Sequence, residues 1–117
     1  MSLRKVLVCG DDAELLTTRG LVLNHAGFDV LSACDKAEIG TIPKDSAIAL
    51  CVIGHSLTEN EQFVVAADMK QRWPEIKILF LSKTPLELQT LPSGDYRSSS
   101  DDPAHLIEVC KRIVDPN

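Results

Sequence analysis

Basic charge is scarce in this chain of 117 residues, where 12 lysines and arginines stand against 17 aspartates and glutamates for a net charge of −5. A broad patch for a phosphate backbone needs the opposite balance, so nucleic acid is not an expected partner. Long apolar runs are missing too: the longest, 47–54, breaks at His55, well short of the roughly 20 residues a membrane helix requires. The amino terminus also lacks the basic-then-apolar order of a secretory signal, so the expected location is the cytoplasm, without membrane contact. The four cysteines, Cys9, Cys34, Cys51 and Cys110, are too far apart for a zinc ribbon, a redox dithiol or a haem motif. Cys9 and Cys51 lie in apolar runs and Cys110 on an apolar helical stripe, where a free thiol acts as a small buried hydrophobe. No repeat, low-complexity tract or linker divides the sequence, which reads as one domain over 1–117.

What is present alternates between two periods. Val6-Leu7-Val8-Cys9 is a buried strand that stops at Gly10-Asp11-Asp12. Asp12 then caps a helix with Leu15, Leu16, Val22, Leu23 and Ala26 on one side and Glu14, Thr18 and Arg19 elsewhere, closing at Gly27. Residues 28–33 form a second strand, and 35–46 hold a short or irregular element because Gly40 and Pro43 interrupt it. The unbroken apolar run Ile48–Ile53 is the pattern of a central strand covered on both faces. Thr58 and Glu61 form a capping box for a helix that carries Phe63, Val64, Ala66, Ala67 and Met69 and ends at Trp73-Pro74.

A fourth strand follows at 76–81, then a brief helix predicted over 84–91 from Thr84-Pro85-Leu86-Glu87, a short polar strand at 95–98, and a final helix opening at Asp102-Pro103. Five alternations of strand and helix imply a parallel sheet with helices on both faces, in the order 2-1-3-4-5. In such a sheet the working site lies at the carboxyl ends of the strands, here Gly10-Asp11-Asp12, Gly54-His55 and Ser82-Lys83.

With the acidic pair after the first strand and Ser82 after Ile78-Leu79-Phe80-Leu81, nearly the whole chain resembles the receiver domains of two-component response regulators. The resemblance implies a flavodoxin-like (βα)5 three-layer α/β sandwich with a five-stranded parallel sheet. It also implies a metal held by Asp11 and Asp12, a phospho-accepting aspartate at the end of the third strand, a hydroxyl at Ser82, and a lysine and an aromatic on the fifth strand. The sequence departs from that set: Gly54 stands at the phosphoacceptor place, Ser99 at the lysine place, and Tyr96 at the aromatic one. Glycine has no nucleophile, and without an aspartate the metal loses an oxygen ligand, so magnesium binding is expected to be weak or absent.

Lys83 is a candidate replacement cation, and His55 a candidate displaced phosphoacceptor, although strand alternation should turn it away from the face of Gly54. Read without the resemblance, Asp12 is a helix cap, Asp11 adds favourable charge at a helix start, Lys83 is a solvated loop residue and Ser82 a structural hydroxyl. The expected function is that of a degenerate receiver: a non-enzymatic module of a two-component phosphorelay that works by protein-protein interaction without phosphorylation. Its expected partner is a sensor kinase, an output domain or another signalling protein. Contact, or homodimerisation, is expected through helix 84–91 with exposed Leu86, Leu88 or Leu91, the Tyr96 strand and the final helix. The alternatives are an active phosphoacceptor using Asp11, Asp12 or His55, and a flavodoxin-like cofactor-binding protein. The latter is disfavoured because Gly10 stands alone before two aspartates and provides no phosphate loop.

Overall fold

The computed structural model describes residues 4–33, 36–43, 45–83, 88–99 and 102–114. The strands are β1 (Lys5–Cys9), β2 (Asp29–Ala33), β3 (Ile48–Ile53), β4 (Lys77–Ser82), β5 (Gln89–Thr90) and β6 (Tyr96–Ser99). The helices are α1 (Ala13–His25), α2 (Lys36–Gly40), α3 (Glu59–Arg72) and α4 (Pro103–Val114). They build an open α/β sheet in the order β2-β1-β3-β4-β6-β5. β2, β1, β3, β4 and β6 are parallel, which reproduces the predicted order among five strands.

Strand alternation divides the core into two layers. Val6, Val8, Leu50, Val52, Leu79 and Leu81 face α1 and α4, where Leu16, Leu23, Leu106 and Val109 meet them. Leu7, Cys9, Cys51, Ile53, Ile78 and Phe80 face α2 and α3, against Ile39, Ala66, Met69 and Trp73. The central strands are buried on both faces because each crossover returns a helix over them. Cys9, Cys51 and Cys110 are all free and buried in these layers. Cys34 lies outside the described residues.

Local signals set most boundaries. The Asp12 carboxylate accepts hydrogen bonds from the Glu14 and Leu15 amides at the start of α1. Both halves of the Thr58–Glu61 capping box form at α3. After α1 the chain turns through Gly27 at φ +103°, a left-handed backbone that favours glycine.

One predicted element is different. Of the helix expected over 84–91, residues 84–87 lie outside the described set, and Gln89–Thr90 is a strand. It pairs antiparallel with β6, Gln89 opposite Arg97 and Thr90 opposite Tyr96. The sheet therefore has a sixth strand at its edge, not five alone. The physical reason is local: the turn through Gly94 folds residues 89–90 back along β6, where their backbone groups pair with those of Tyr96 and Arg97. The hairpin closes through the Leu91 amide on the Asp95 carbonyl (2.7 Å), with Gly94 at φ +88°. Asp95, only 4 % exposed, receives the Lys70 ammonium at 2.9 Å and so ties the hairpin to α3.

A second correction concerns α1. Arg19, assigned by the sequence pattern to the side away from the apolar stripe, is buried together with Leu16 and Leu23. The three residues share the i, i+3, i+7 spacing of one helix face, so the guanidinium lies against the sheet. Leu21, by contrast, is exposed.

Candidate functional site

β1, β3, β4 and β6 end together at one edge of the sheet, and their terminal residues define the candidate site. β3 and β1 stay joined past their last paired residues, because the Gly54 amide donates to the Cys9 carbonyl at 2.8 Å. Gly54 is buried. Alternation along β3 aims its missing side chain at the α1 face, as for Leu50 and Val52.

That direction leads to Arg19. A Cβ placed on Gly54 would lie 2.8 Å from Arg19 Nη1, 3.4 Å from the Cys9 carbonyl oxygen and 3.8 Å from Ser56 Oγ. The corner where the resemblance puts an aspartate therefore holds a guanidinium delivered from α1. Arg19 is 6 % exposed, and among the described residues it makes no hydrogen bond or ion pair. Burial pulls its pKa below the ordinary arginine range, and the charge of Asp12 opposes that shift. An arginine stays protonated through such a shift.

From the other face, Gln62 of α3 reaches the same corner. Its amide nitrogen donates to the Gly54 carbonyl at 3.0 Å and to the Leu81 carbonyl at 3.1 Å, binding the ends of β3 and β4 together. Neither Arg19 nor Gln62 was singled out from the sequence as a functional residue. The available signal was spacing: Arg19 follows Leu16 by three, and Gln62 precedes Ala66 by four and Met69 by seven, each on a buried stripe.

The remaining predicted residues fall as follows. Ser82 and Ser99 are register partners at the ends of β4 and β6, and Tyr96 pairs with Leu79 one strand length away. Ser99 is buried and Tyr96 half-buried against the core. β3 ends at Ile53, so the alternation expected to turn His55 away does not reach it; His55 lies in the turn that folds over the sheet edge. There it lines two cavities. One, of about 440 Å³, lies between α1 and α4 and is walled by Leu15, Arg19, Val22, Lys83, Asp102 and Leu106. The other, of about 450 Å³, lies on the α3 side with Gln62, Ser82, Lys83 and Arg97. Desolvation, then the charges of Arg19 and Lys83, lower the pKa of His55, which keeps the ring neutral at neutral pH. Among the described residues, the buried atoms His55 Nδ1 and Ser56 Oγ meet no hydrogen-bond partner.

The carboxylates that could meet a divalent cation at this edge are Asp11 and Asp12. Asp11 and Asp12 are exposed, and Asp12 is committed to the α1 amides. Among the described residues no three groups of ligand type converge, and the guanidinium stands where a metal would have to approach Gly54. Magnesium favours one or two carboxylates with room for its waters, and a neighbouring fixed cation opposes it.

The predicted contact face is also less apolar at the surface than expected. Leu86 lies outside the described residues, and Leu88 and Leu91 are half-buried against the two core layers. No described helix is long and apolar enough to cross a membrane.

The architecture is a doubly wound α/β sheet with its candidate site at the carboxyl edge. No family model matches the chain, and no curated protein matches its sequence. Solved structures do. The chain superposes on a CheY-like response regulator receiver domain protein from Methanospirillum hungatei with a TM-score of 0.77 and 19% identity, covering 98% of this chain and 96% of that one. A response regulator receiver domain protein from Clostridium thermocellum gives a TM-score of 0.74 at 15% identity over 97% of this chain and 96% of that one. A response regulator from Thermotoga maritima, crystallised with Mg²⁺ and BeF, gives 0.71 at 15% identity over 95% and 99%. The chain has the CheY-like, flavodoxin-like fold of receiver domains.

Proposed function

We propose that this chain is a receiver-like signalling module that has lost aspartyl phosphorylation and acts by contact with a signalling protein, without enzymatic activity and without a need for magnesium. One observation carries the reading: the end of β3 presents Gly54, and the space in front of it is bounded by the Arg19 guanidinium. Aspartyl phosphorylation needs a carboxylate attacker, a metal on the phosphoryl oxygens and a cation to hold the product. The attacker is absent at Gly54, the donor set does not suit the metal, and Ser99 replaces the family's lysine. Asp11 and Asp12 are exposed, Asp12 is committed to the α1 amides, and His55 lies in a turn beside two cations. None of the three has the in-line setting of a strand-end carboxylate.

The partner is read as a sensor kinase, an output domain or another protein of a phosphorelay, met through the β5–β6 hairpin and α4. Incubation with acetyl phosphate and magnesium, followed by intact mass measurement, tests the proposal. An unchanged mass is expected; a stable phosphoryl adduct on any residue sinks it.

A further inference from the structure

We propose that the cavity between α1 and α4 is a binding site for a small organic phosphate, a monoester with an apolar body, gripped non-covalently by Arg19. The inference rests on the reading that β3 carries no covalent phosphoryl group and gives the vacated corner a different ligand.

A guanidinium has five N–H donors, and burying one with no acceptor is strongly unfavourable. Arg19, at 6 % exposure, meets no protein acceptor among the described residues, and its N–H groups open on the cavity instead of being sealed in the core. Asp12, whose charge Arg19 feels, and Asp102, which lines the same cavity, both already accept backbone hydrogen bonds. Asp12 accepts from the α1 amides, and Asp102 accepts from the Ala104 amide at 2.9 Å. Among the described residues neither makes an ion pair with Arg19. An oxyanion is the ligand class whose geometry a guanidinium matches with two parallel hydrogen bonds.

The surroundings narrow the class further. Lys83 lines the same cavity with no ion pair among the described residues, and the His55 ring lines it too. Arg19 and Lys83 place two positive charges on the cavity, which match the dianion of a phosphate monoester better than the single charge of a carboxylate. The opposite wall is Leu15, Val22 and Leu106, which suits an apolar body on the ester. Asp102 lines the cavity and the charge of Asp12 is felt at Arg19, and both would repel a long polyanion, so a single anionic head fits best.

Calorimetric titration of the full chain with phenyl phosphate, inorganic phosphate and phenylacetate tests the assignment. Phenyl phosphate is expected to bind most tightly. Arg19→Gln should weaken it about ten-fold or more, the loss expected for a charged hydrogen-bonding group, and Arg19→Lys should fall between. Gly54→Asp supplies an internal carboxylate beside the guanidinium and should abolish binding while the circular dichroism spectrum stays native; this arm decides the matter if Arg19→Gln fails to fold. Undiminished binding by Arg19→Gln or by Gly54→Asp, phenylacetate binding as tightly as phenyl phosphate, or no heat from either phosphate at millimolar concentration overturns the proposal. Intact mass after acetyl phosphate separates the two readings: an adduct defeats the phosphorylation-independent function, whereas an unchanged mass with no binding defeats only the ligand.

Discussion

Two polar side chains reach the carboxyl end of β3 from opposite faces of the sheet, and the fold satisfies only one of them. Gln62, from α3, spends its amide on the Gly54 and Leu81 carbonyls and clamps β3 to β4. Arg19, from α1, is as deeply buried, at the same 6 % exposure, yet meets no acceptor among the described residues. The difference separates scaffold from site. A buried polar group with its partners in place contributes to holding the chain together, and one without them costs stability that folding alone does not return.

The comparison can be broken or sharpened by substitution. The largest effect is expected from Gln62→Leu, which removes the side-chain hydrogen bonds to two carbonyls at the ends of β3 and β4 and should cost about 1–3 kcal/mol by urea denaturation. Asp12→Ala removes the α1 cap and should cost about 1 kcal/mol; a loss far larger would mean that Asp12 holds Arg19 directly. Arg19→Met should leave stability within about 1 kcal/mol of the parent or raise it, because an unpaired buried charge is exchanged for an apolar chain of similar length. A penalty like that of Gln62→Leu would erase the contrast and make Arg19 a structural residue.

The smallest effect concerns His55. Its pKa in the fold is lowered by desolvation and by the facing Arg19 and Lys83, with the charge of Asp12 opposing. The unfolded chain therefore takes up a proton that the folded chain refuses once the pH drops below about 6.5. The stability contribution is complete above that value and declines as the pH falls toward the lower folded pKa. His55→Gln should flatten this part of the profile, seen in urea midpoints compared between about pH 7.5 and 5.

Much of the scaffold was legible before any coordinates. The apolar run Ile48–Ile53 became β3 with those boundaries, and the Thr58–Glu61 capping box and the Asp12 cap both formed, because each depends only on residues within one turn or one strand. The edge hairpin was missed at Gln89–Thr90, where pairing with β6 across the Gly94 turn, which no local helical signal reveals, decides the conformation. Gly54 was legible as an absence at the candidate site, and Ser82 and Ser99 came together as register partners. Arg19 and Gln62 were not, since a long polar side chain on an otherwise mixed helix reads as solvated until its face is fixed by packing.

The sequence alone determined the alternation of strands and helices, the covered central sheet and the missing carboxylate after Ile53, all of them consequences of local pattern and residue identity. Only the tertiary structure decided what fills the gap. The rotation of α1 against the sheet turned Arg19 inward to within 2.8 Å of where a side chain on Gly54 would begin, and that rotation is set by the packing of Leu16 and Leu23 against β1 and β3, contacts that no stretch of the chain contains by itself.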